Sequence, residues 1–397
     1  MDVVKRLRWR SYLLWLSFKM KSVRGKDKIR FLFILQELSQ WKTESLYRLM
    51  RVHPRFEPII GVTVCREYPG AEQKVMAYCK DKQYPYVLLD SERTIVEQMD
   101  VDMLCHQKPY SECIHPAHQI NPNKGIPTVY IPYFMSTIVE SWVVNSRVCL
   151  LAWRQFVDND SCKEAWQSVN KMKGTNYVVT GVPMMDELMT PKSELRDVWP
   201  VSDGRKRIIW APHHTIGDAH MDGIGYSTFL DICWAMLDLR GKYRDKVYFV
   251  FKPHPRLFSN LADCWGEEKA LDYYARWDEP GCSHKEENGK YVELFHFSDA
   301  LIHDCGSYTV EYMYTGNPVM YVLKDDGHAD NMIPYAKQAF DLHYKGKTAK
   351  DIERFVVDVI EGNDCLRERR LAYKQENLLP PNGKTACENI LDSILGR

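Results

Sequence analysis

The chain has 397 residues, 45% of them hydrophobic and 27% charged, which is enough for two medium-sized domains with cores of their own. Lysine plus arginine and aspartate plus glutamate stand at 53 each, so no global charge points to nucleic acid as a partner. Aromatic residues reach 12%, which suits sugar-like or amphipathic ligands and equally an aromatic-rich core.

At the start of the chain, Lys5, Arg6, Arg8 and Arg10 lead into Tyr12-Leu-Leu-Trp-Leu16, and Lys19, Lys21, Arg24, Lys26 and Lys28 follow. The apolar run is far shorter than the roughly 20 residues that span a bilayer. It also lacks the long apolar stretch and small-residue cleavage site of a signal peptide. Residues 1–28 therefore read as a basic amphipathic arm, lying on an anionic membrane surface or packed as a solvated helix on the first domain. The first reading implies a cytoplasmic protein held peripherally on the inner face of the cell membrane.

Beyond this arm, short apolar runs alternate with helical stretches. Ile29–Ile34, Pro58–Val64, Tyr86–Leu89, Val101–Cys105, Thr128–Ile131 and Tyr177–Thr180 read as strands, with helices at Glu44–Met50 and Ala71–Lys80. A polar, proline-containing stretch over 190–205 reads as a linker between a domain of 29–189 and one of 206–380. The second domain repeats the pattern. Strands are expected at Arg207–Ala211, Lys246–Phe251, Ala300–His303 and Pro318–Val322, with helices at Tyr226–Leu239, Ser307–Tyr314 and Asp351–Ile360. A last helix over Thr385–Leu395 occupies a C-terminal segment of 381–397. Strand, helix, strand repeated twice implies an α/β chain of two Rossmann-like, doubly wound domains with a cleft between them. Twelve scattered cysteines, with no secretory signal ahead of them, read as free thiols of a reducing compartment; no Cys-x-x-Cys pair suggests zinc.

In such sheets ligands sit beyond the carboxyl ends of the strands, so the residues just after each strand carry the information. In Phe251-Lys-Pro-His-Pro-Arg256, two prolines restrict the turn from which Lys252, His254 and Arg256 emerge. Lysine and arginine supply charge for phosphate oxygens, and histidine donates to a diphosphate or moves a proton. In His303-Asp-Cys-Gly-Ser307, Gly306 permits close backbone approach. Ser307, Tyr308 and Thr309 open a helix whose free N–H groups suit a phosphate. Asp304 and Glu311 complete this cluster, with Glu311 placed to meet a ribose or another donor hydroxyl. His213 and His214 follow the strand ending at Ala211 and read as further donor contacts.

Lys252-Pro-His-Pro255, then Asp304-x-x-Ser307-x-x-x-Glu311, then Gly316-Asn-Pro318 leading into a Tyr-containing strand, resemble the motifs of the CDP-glycerol glycerophosphotransferase family, the teichoic-acid primases and polymerases and their relatives in surface-polysaccharide loci. Val179-Thr-Gly-Val-Pro183 and Ile208-Ile-Trp-Ala-Pro-His213 resemble two further segments of that family, so the likeness runs from Tyr177 to Val322. The resemblance implies a GT-B fold with the donor held by the C-terminal domain. It also implies inverting transfer without a metal ion or other cofactor, His254 as the donor-phosphate histidine, and Asp304, Ser307 and Glu311 as donor-binding residues. This chain departs from the pattern twice. Cys305-Gly306 replaces a Tyr-Ser pair, which removes one hydroxyl, and the family's His-Gly-Thr segment, source of its presumed base, has no counterpart. His106, His115 and His118 are the nearest candidates, with His115 and His118 preferred.

The expected activity is transfer of glycerol phosphate or a similar polyol phosphate from a CDP-linked donor to a glycan or lipid-linked acceptor. Two alternatives remain open on the sequence: a GT-B glycosyltransferase using a nucleotide sugar, and a non-catalytic GT-B-like partner subunit.

Overall fold

The computed structural model describes residues 3–65, 68–216, 227–286, 291–325 and 329–397. The chain divides into two compact units, residues 1–187 with 379–397, and residues 188–378.

In the first unit the apolar runs become β1 (Ile29–Leu35), β2 (Phe56–Val62), β3 (Tyr86–Leu88), β4 (Met103–His106), β5 (Thr128–Tyr130), β6 (Arg154–Val157) and β7 (Tyr177–Val179). All pair in parallel, in the order β3-β2-β1-β4-β5-β6-β7. β1 is hydrophobic along nearly its whole length because helices cover both faces of a parallel sheet. The helix Val3–Arg24 packs on this unit: Leu16, Met20 and Val23 enter its core beside Phe31, Phe33 and Trp153. Full burial of such side chains stabilises by about 1.5–3 kcal/mol each. Trp9 Nε1 donates to the Leu150 carbonyl (3.0 Å) and Tyr12 Oη to the Leu151 carbonyl (3.2 Å). The opposite side of the same helix leaves Leu7, Leu14, Trp15 and Phe18 exposed. The last helix, Ala386–Leu395, returns Cys387, Ile390, Leu391 and Ile394 to the first core, which is why 379–397 groups there. No helix among the described residues is long and apolar enough to cross a membrane.

The second unit contains β8 (Lys206–Ala211), β9 (Val247–Phe251), β10 (Ser283–Lys285), β11 (Ala300–His303), β12 (Val319–Val322) and β13 (Tyr344–Gly346), all parallel, in the order β10-β9-β8-β11-β12-β13. Trp210 anchors its core, stacked on Phe229 at 5.6 Å and tilted against Trp277 at 5.3 Å. The helix after β8 runs Phe229–Lys242; Tyr226, where the sequence pattern begins it, lies outside the described residues. Strands β6, β10 and β13 add to those expected from the sequence. The helix expected over Ser307–Tyr314 is shorter: an α-helical turn, Tyr308–Glu311, tightens to a 3-10 turn, Tyr312–Thr315. Gly316 ends it at φ +71°, where an added Cβ would meet Leu371 at 2.7 Å.

Candidate active site

The order of the second sheet reverses at β8, with β9 on one side and β11 on the other, and a ligand crevice belongs at that switch point. The register brings the three strand ends level: Trp210 pairs with Phe251, and Ala211 with His303. Segments 212–215, 252–256 and 304–311 therefore leave the sheet side by side. The backbone fastens them further, with Lys252 N donating to the Trp210 carbonyl (2.8 Å) and His254 N to the Pro212 carbonyl (3.1 Å).

Three imidazoles meet there. Ring centroids are 4.3 Å apart for His213 and His214, 4.3 Å for His214 and His254, and 5.0 Å for His213 and His254. One nitrogen from each lies within 4.8 Å of the others, close enough for the group to hold a metal ion. The hydrogen bonds at Nδ1 favour a different use. His254 Nδ1 accepts from Arg256 N (3.1 Å), and His214 Nδ1 lies 3.3 Å from the Asn260 amide nitrogen. That amide also donates to the His214 carbonyl (2.9 Å), which fixes its nitrogen towards the ring. A neutral imidazole that accepts at Nδ1 carries its proton on Nε2. These rings are thus set as N–H donors suited to anionic oxygens, whereas a metal would need the Nε2 lone pair. Burial, together with His214, Arg256 and Lys252 nearby, holds His254 well below the usual imidazole value, so its ring is neutral at neutral pH.

Lys252 is 6% exposed, with Nζ 5.6 Å from the centre of the Tyr291 ring. Tyr291 Oη donates to the buried Glu311 carboxylate, which links the start of the helix Val292–His296 to the helical turn after β11. Gly306, Ser307 and Tyr308 are half-exposed at the mouth of that turn, with Tyr308 against Tyr291 and Phe295.

Two residues expected to face a ligand turn inward. Asp304 is 2% exposed, and its carboxylate accepts from His213 N (2.5 Å), Thr228 N (2.7 Å), Thr228 Oγ1 (3.0 Å) and Ser227 Oγ (3.2 Å). Burial raises its pKa and these donors pull it back. It ties the His213 loop to the start of the following helix, a positioning role. Thr309 is buried, with Oγ1 3.4 Å from the Cys305 carbonyl. Cys305 donates inward to the Ala211 carbonyl (3.2 Å), so its thiol does not replace the missing hydroxyl at the site. The short turn after Ser307 also carries a smaller dipole than a full helix, which leaves Lys252, Arg256 and the imidazoles as the main donors. Thr215, whose Oγ1 lies 3.0 Å from His213 Nδ1, supports this constellation together with Asn260 and Tyr291, and no local pattern in the sequence marks them.

His115 and His118 lie in the first unit, rings 5.6 Å apart. His118 has no exposed surface and is pulled down to about 4 by burial and by His115. A sealed ring has no route to a substrate hydroxyl in this conformation. His115 is half-exposed, but its Nδ1 accepts from Ala117 N (3.3 Å), which engages the lone pair that a base would use. His106 ends β4, buried and likewise pulled down to about 4.

Several solved structures share the fold. The wall teichoic acid polymerase TagF matches with a TM-score of 0.63 at 14% identity, covering 99% of this chain and 98% of that one. A TagF variant soaked with CDPG covers the same shares with a TM-score of 0.59 at 14% identity. A UDP-GlcNAc 2-epimerase from Neisseria meningitidis bound to UDP-GlcNAc matches at 0.60 and 15%, covering 93% of this chain and 100% of that one. At such identities the likeness establishes the fold, that of GT-B enzymes. No curated protein matches the chain by sequence. The model of the CDP-Glycerol:Poly(glycerophosphate) glycerophosphotransferase family matches residues 18–331, well over half of the chain. The chain belongs to that family and is a transferase of the glycerophosphotransferase type.

Proposed function

We propose that the chain transfers glycerol phosphate, or a similar polyol phosphate, from a CDP-linked donor to a glycan or lipid-linked acceptor in surface-polysaccharide synthesis. The observation that carries this reading is the group of three imidazoles at the β8 switch point, two of them set as Nε2–H donors, between Lys252 and the Ser307 turn. An acceptor hydroxyl attacks the glycerol-bearing phosphorus, and the bond from that phosphorus to the CMP oxygen breaks. Lys252, Arg256, His213, His214 and His254 neutralise charge on the diphosphate and on the departing CMP. Gly306, Ser307 and Tyr308 offer backbone and side-chain donors beside it, and Glu311 orients the nucleoside through Tyr291. Phosphoryl transfer depends mainly on positioning and charge stabilisation. The acceptor proton passes to solvent, since the His115 Nδ1 lone pair is already engaged and His118 is sealed.

A lipid-linked acceptor agrees with the outer stripe of the helix Val3–Arg24. At 100° per residue, Leu7, Leu14, Trp15 and Phe18 fall within about a quarter turn, with Arg10 and Lys21 on one flank and Arg8 and Lys19 on the other. An apolar ridge between basic rows suits an anionic membrane surface, with the inner face still docked on the first unit.

CMP release from CDP-glycerol by the purified protein with a lipid-linked sugar acceptor tests the reading. Stabilisation by CDP in preference to UDP and GDP supports it. Selective stabilisation by UDP or GDP would transfer the assignment to a nucleotide-sugar glycosyltransferase, and failure to bind any nucleotide would leave a non-catalytic subunit.

A further inference from the structure

The second sheet has a cavity at its other end. Thr315 and Asn317 lie just before β12, and His296 lies before β11; with Thr190, Lys192 and Lys374 they line a space of about 320 Å³. The candidate active site leaves the carboxyl ends of the strands, and this cavity sits at their amino ends. It is at the small end of the range for ligand pockets.

Its charge is one-sided. No carboxylate lines it, and Lys192, His296 and Lys374 form no ion pair among the described residues. Each of the three basic groups rests on a weaker partner. Lys374 Nζ donates to the Tyr314 carbonyl (2.6 Å), Lys192 Nζ stands 4.6 Å from the centre of the Phe297 ring, and His296 Nε2 lies 2.9 Å from the Leu188 carbonyl. One carbonyl uses one of the three ammonium protons of Lys374 and leaves two for a ligand. Burial first, then Lys374 and Lys192, push His296 below its usual value, against the opposing pull of the Leu188 carbonyl and of Glu293; burial does the same to Lys374. The two ammonium groups gathered without a lining counter-charge repel one another, and an entering anion removes that cost. Beside them stands a group that suits hydroxyls. The Asn317 amide donates to the Ser298 carbonyl (2.7 Å), which leaves its oxygen to accept.

We propose that this cavity is a second anion site, separate from the donor pocket, which takes a small phosphate ester carrying polyol hydroxyls, of the glycerol phosphate class. Lys192 and Lys374 hold the phosphate, and the Asn317 amide oxygen reads the hydroxyls. The inference stands on the cavity itself and does not require the transfer reaction proposed above.

Calorimetric titration of sn-glycerol 3-phosphate into the full chain, first saturated with CDP, isolates this site from the strand-end pocket. One binding event is expected to remain. Inorganic phosphate should bind at least threefold more weakly, and the double variant Lys192→Met/Lys374→Met at least tenfold more weakly than wild type. Lys252→Met should leave the event within twofold. The thermal shift that CDP gives the double variant reports that it is folded. Absence of binding in the CDP-saturated protein, undiminished affinity in the double variant, or dependence on Lys252 instead would overturn the site. Inorganic phosphate binding as tightly as the ester would overturn its polyol part. If CDP itself does not bind, the donor reading fails, and the dependence on Lys192 and Lys374 still decides this one.

Discussion

His254 has two separable tasks, and two substitutions separate them. Its Nδ1 accepts the Arg256 N–H and so shapes the turn, and its Nε2 carries the proton that we assign to the donor phosphate. Asparagine at this position can still accept the Arg256 N–H through its own side-chain oxygen, a common turn arrangement, but it does not reach the distal site. His254→Asn should therefore remove one hydrogen bond to an anionic oxygen, worth about 1.5–3 kcal/mol, which is about a 10- to 150-fold loss in kcat/KM. His254→Ala removes the turn contact as well and leaves a backbone N–H without its acceptor, which costs a further ~0.5–1.5 kcal/mol of stability. In a unit of this size that lowers Tm by a few degrees. The assay is CMP release against CDP-glycerol concentration, with melting curves for both variants. Because burial and the neighbouring cations keep His254 neutral, its ring adds no ionisation to the activity profile between pH 6 and 8. His254→Asn turning over within threefold of wild type, with its melting curve unchanged, would refute the role of the distal nitrogen. Melting losses equal in the two variants would refute the turn contact.

Asp304→Asn should lower stability by about 2–4 kcal/mol, because the amide NH2 faces donors that the carboxylate now satisfies. CDP should bind more weakly as the His213 loop loosens; a loss below about 1 kcal/mol by denaturant titration would contradict the clamp. The two faces of the first helix should part company. Leu14→Asp/Phe18→Asp should reduce sedimentation with anionic vesicles at unchanged Tm, while Leu16→Ala should cost about 2–5 kcal/mol of stability. Vesicle binding that ignores the outer pair would remove the membrane contact. His106 and His118, both pulled down to about 4, make the first unit acid-sensitive. Between pH 6.5 and 4 the unfolded chain binds protons that the folded chain refuses, so stability falls as pH falls, by at most about 3 kcal/mol for each ring. His106→Leu/His118→Leu should flatten that slope in urea titrations at pH 7 and pH 5, and an unchanged slope would show that other groups are responsible.

What the sequence revealed, and what it hid, follows from where each signal resides. β1, β8 and β9 are apolar runs because both faces of a parallel sheet are covered, so the pattern is visible in the residues themselves. β10 reads Ser-His-Lys and β13 reads Tyr-Lys-Gly; they are strands only because β9 and β12 offer them edges. The helical pattern that runs on to Tyr314 tightens to a 3-10 turn after Glu311 and ends at Gly316, where an added Cβ would meet Leu371, some fifty residues further on.

The same division governs the site. Position after a strand was legible, so Lys252, His254, His213 and His214 come together as their places in the chain imply. The direction of each side chain was not. Asp304 follows its strand as immediately as Lys252 follows its own, yet one carboxylate is filled by four donors from the β8 loop and the next helix, which no local motif records. The choice between cation and anion at the histidines was hidden for a like reason. It depends on which nitrogen each ring has already committed, and those commitments are made to Arg256 and Asn260. Three clustered histidines could serve zinc or phosphate equally well; rings whose Nδ1 atoms face N–H donors, as in His214 and His254, suit an anion. The tautomer, fixed by neighbours outside the motif, turns a reactive-looking cluster into a specific one.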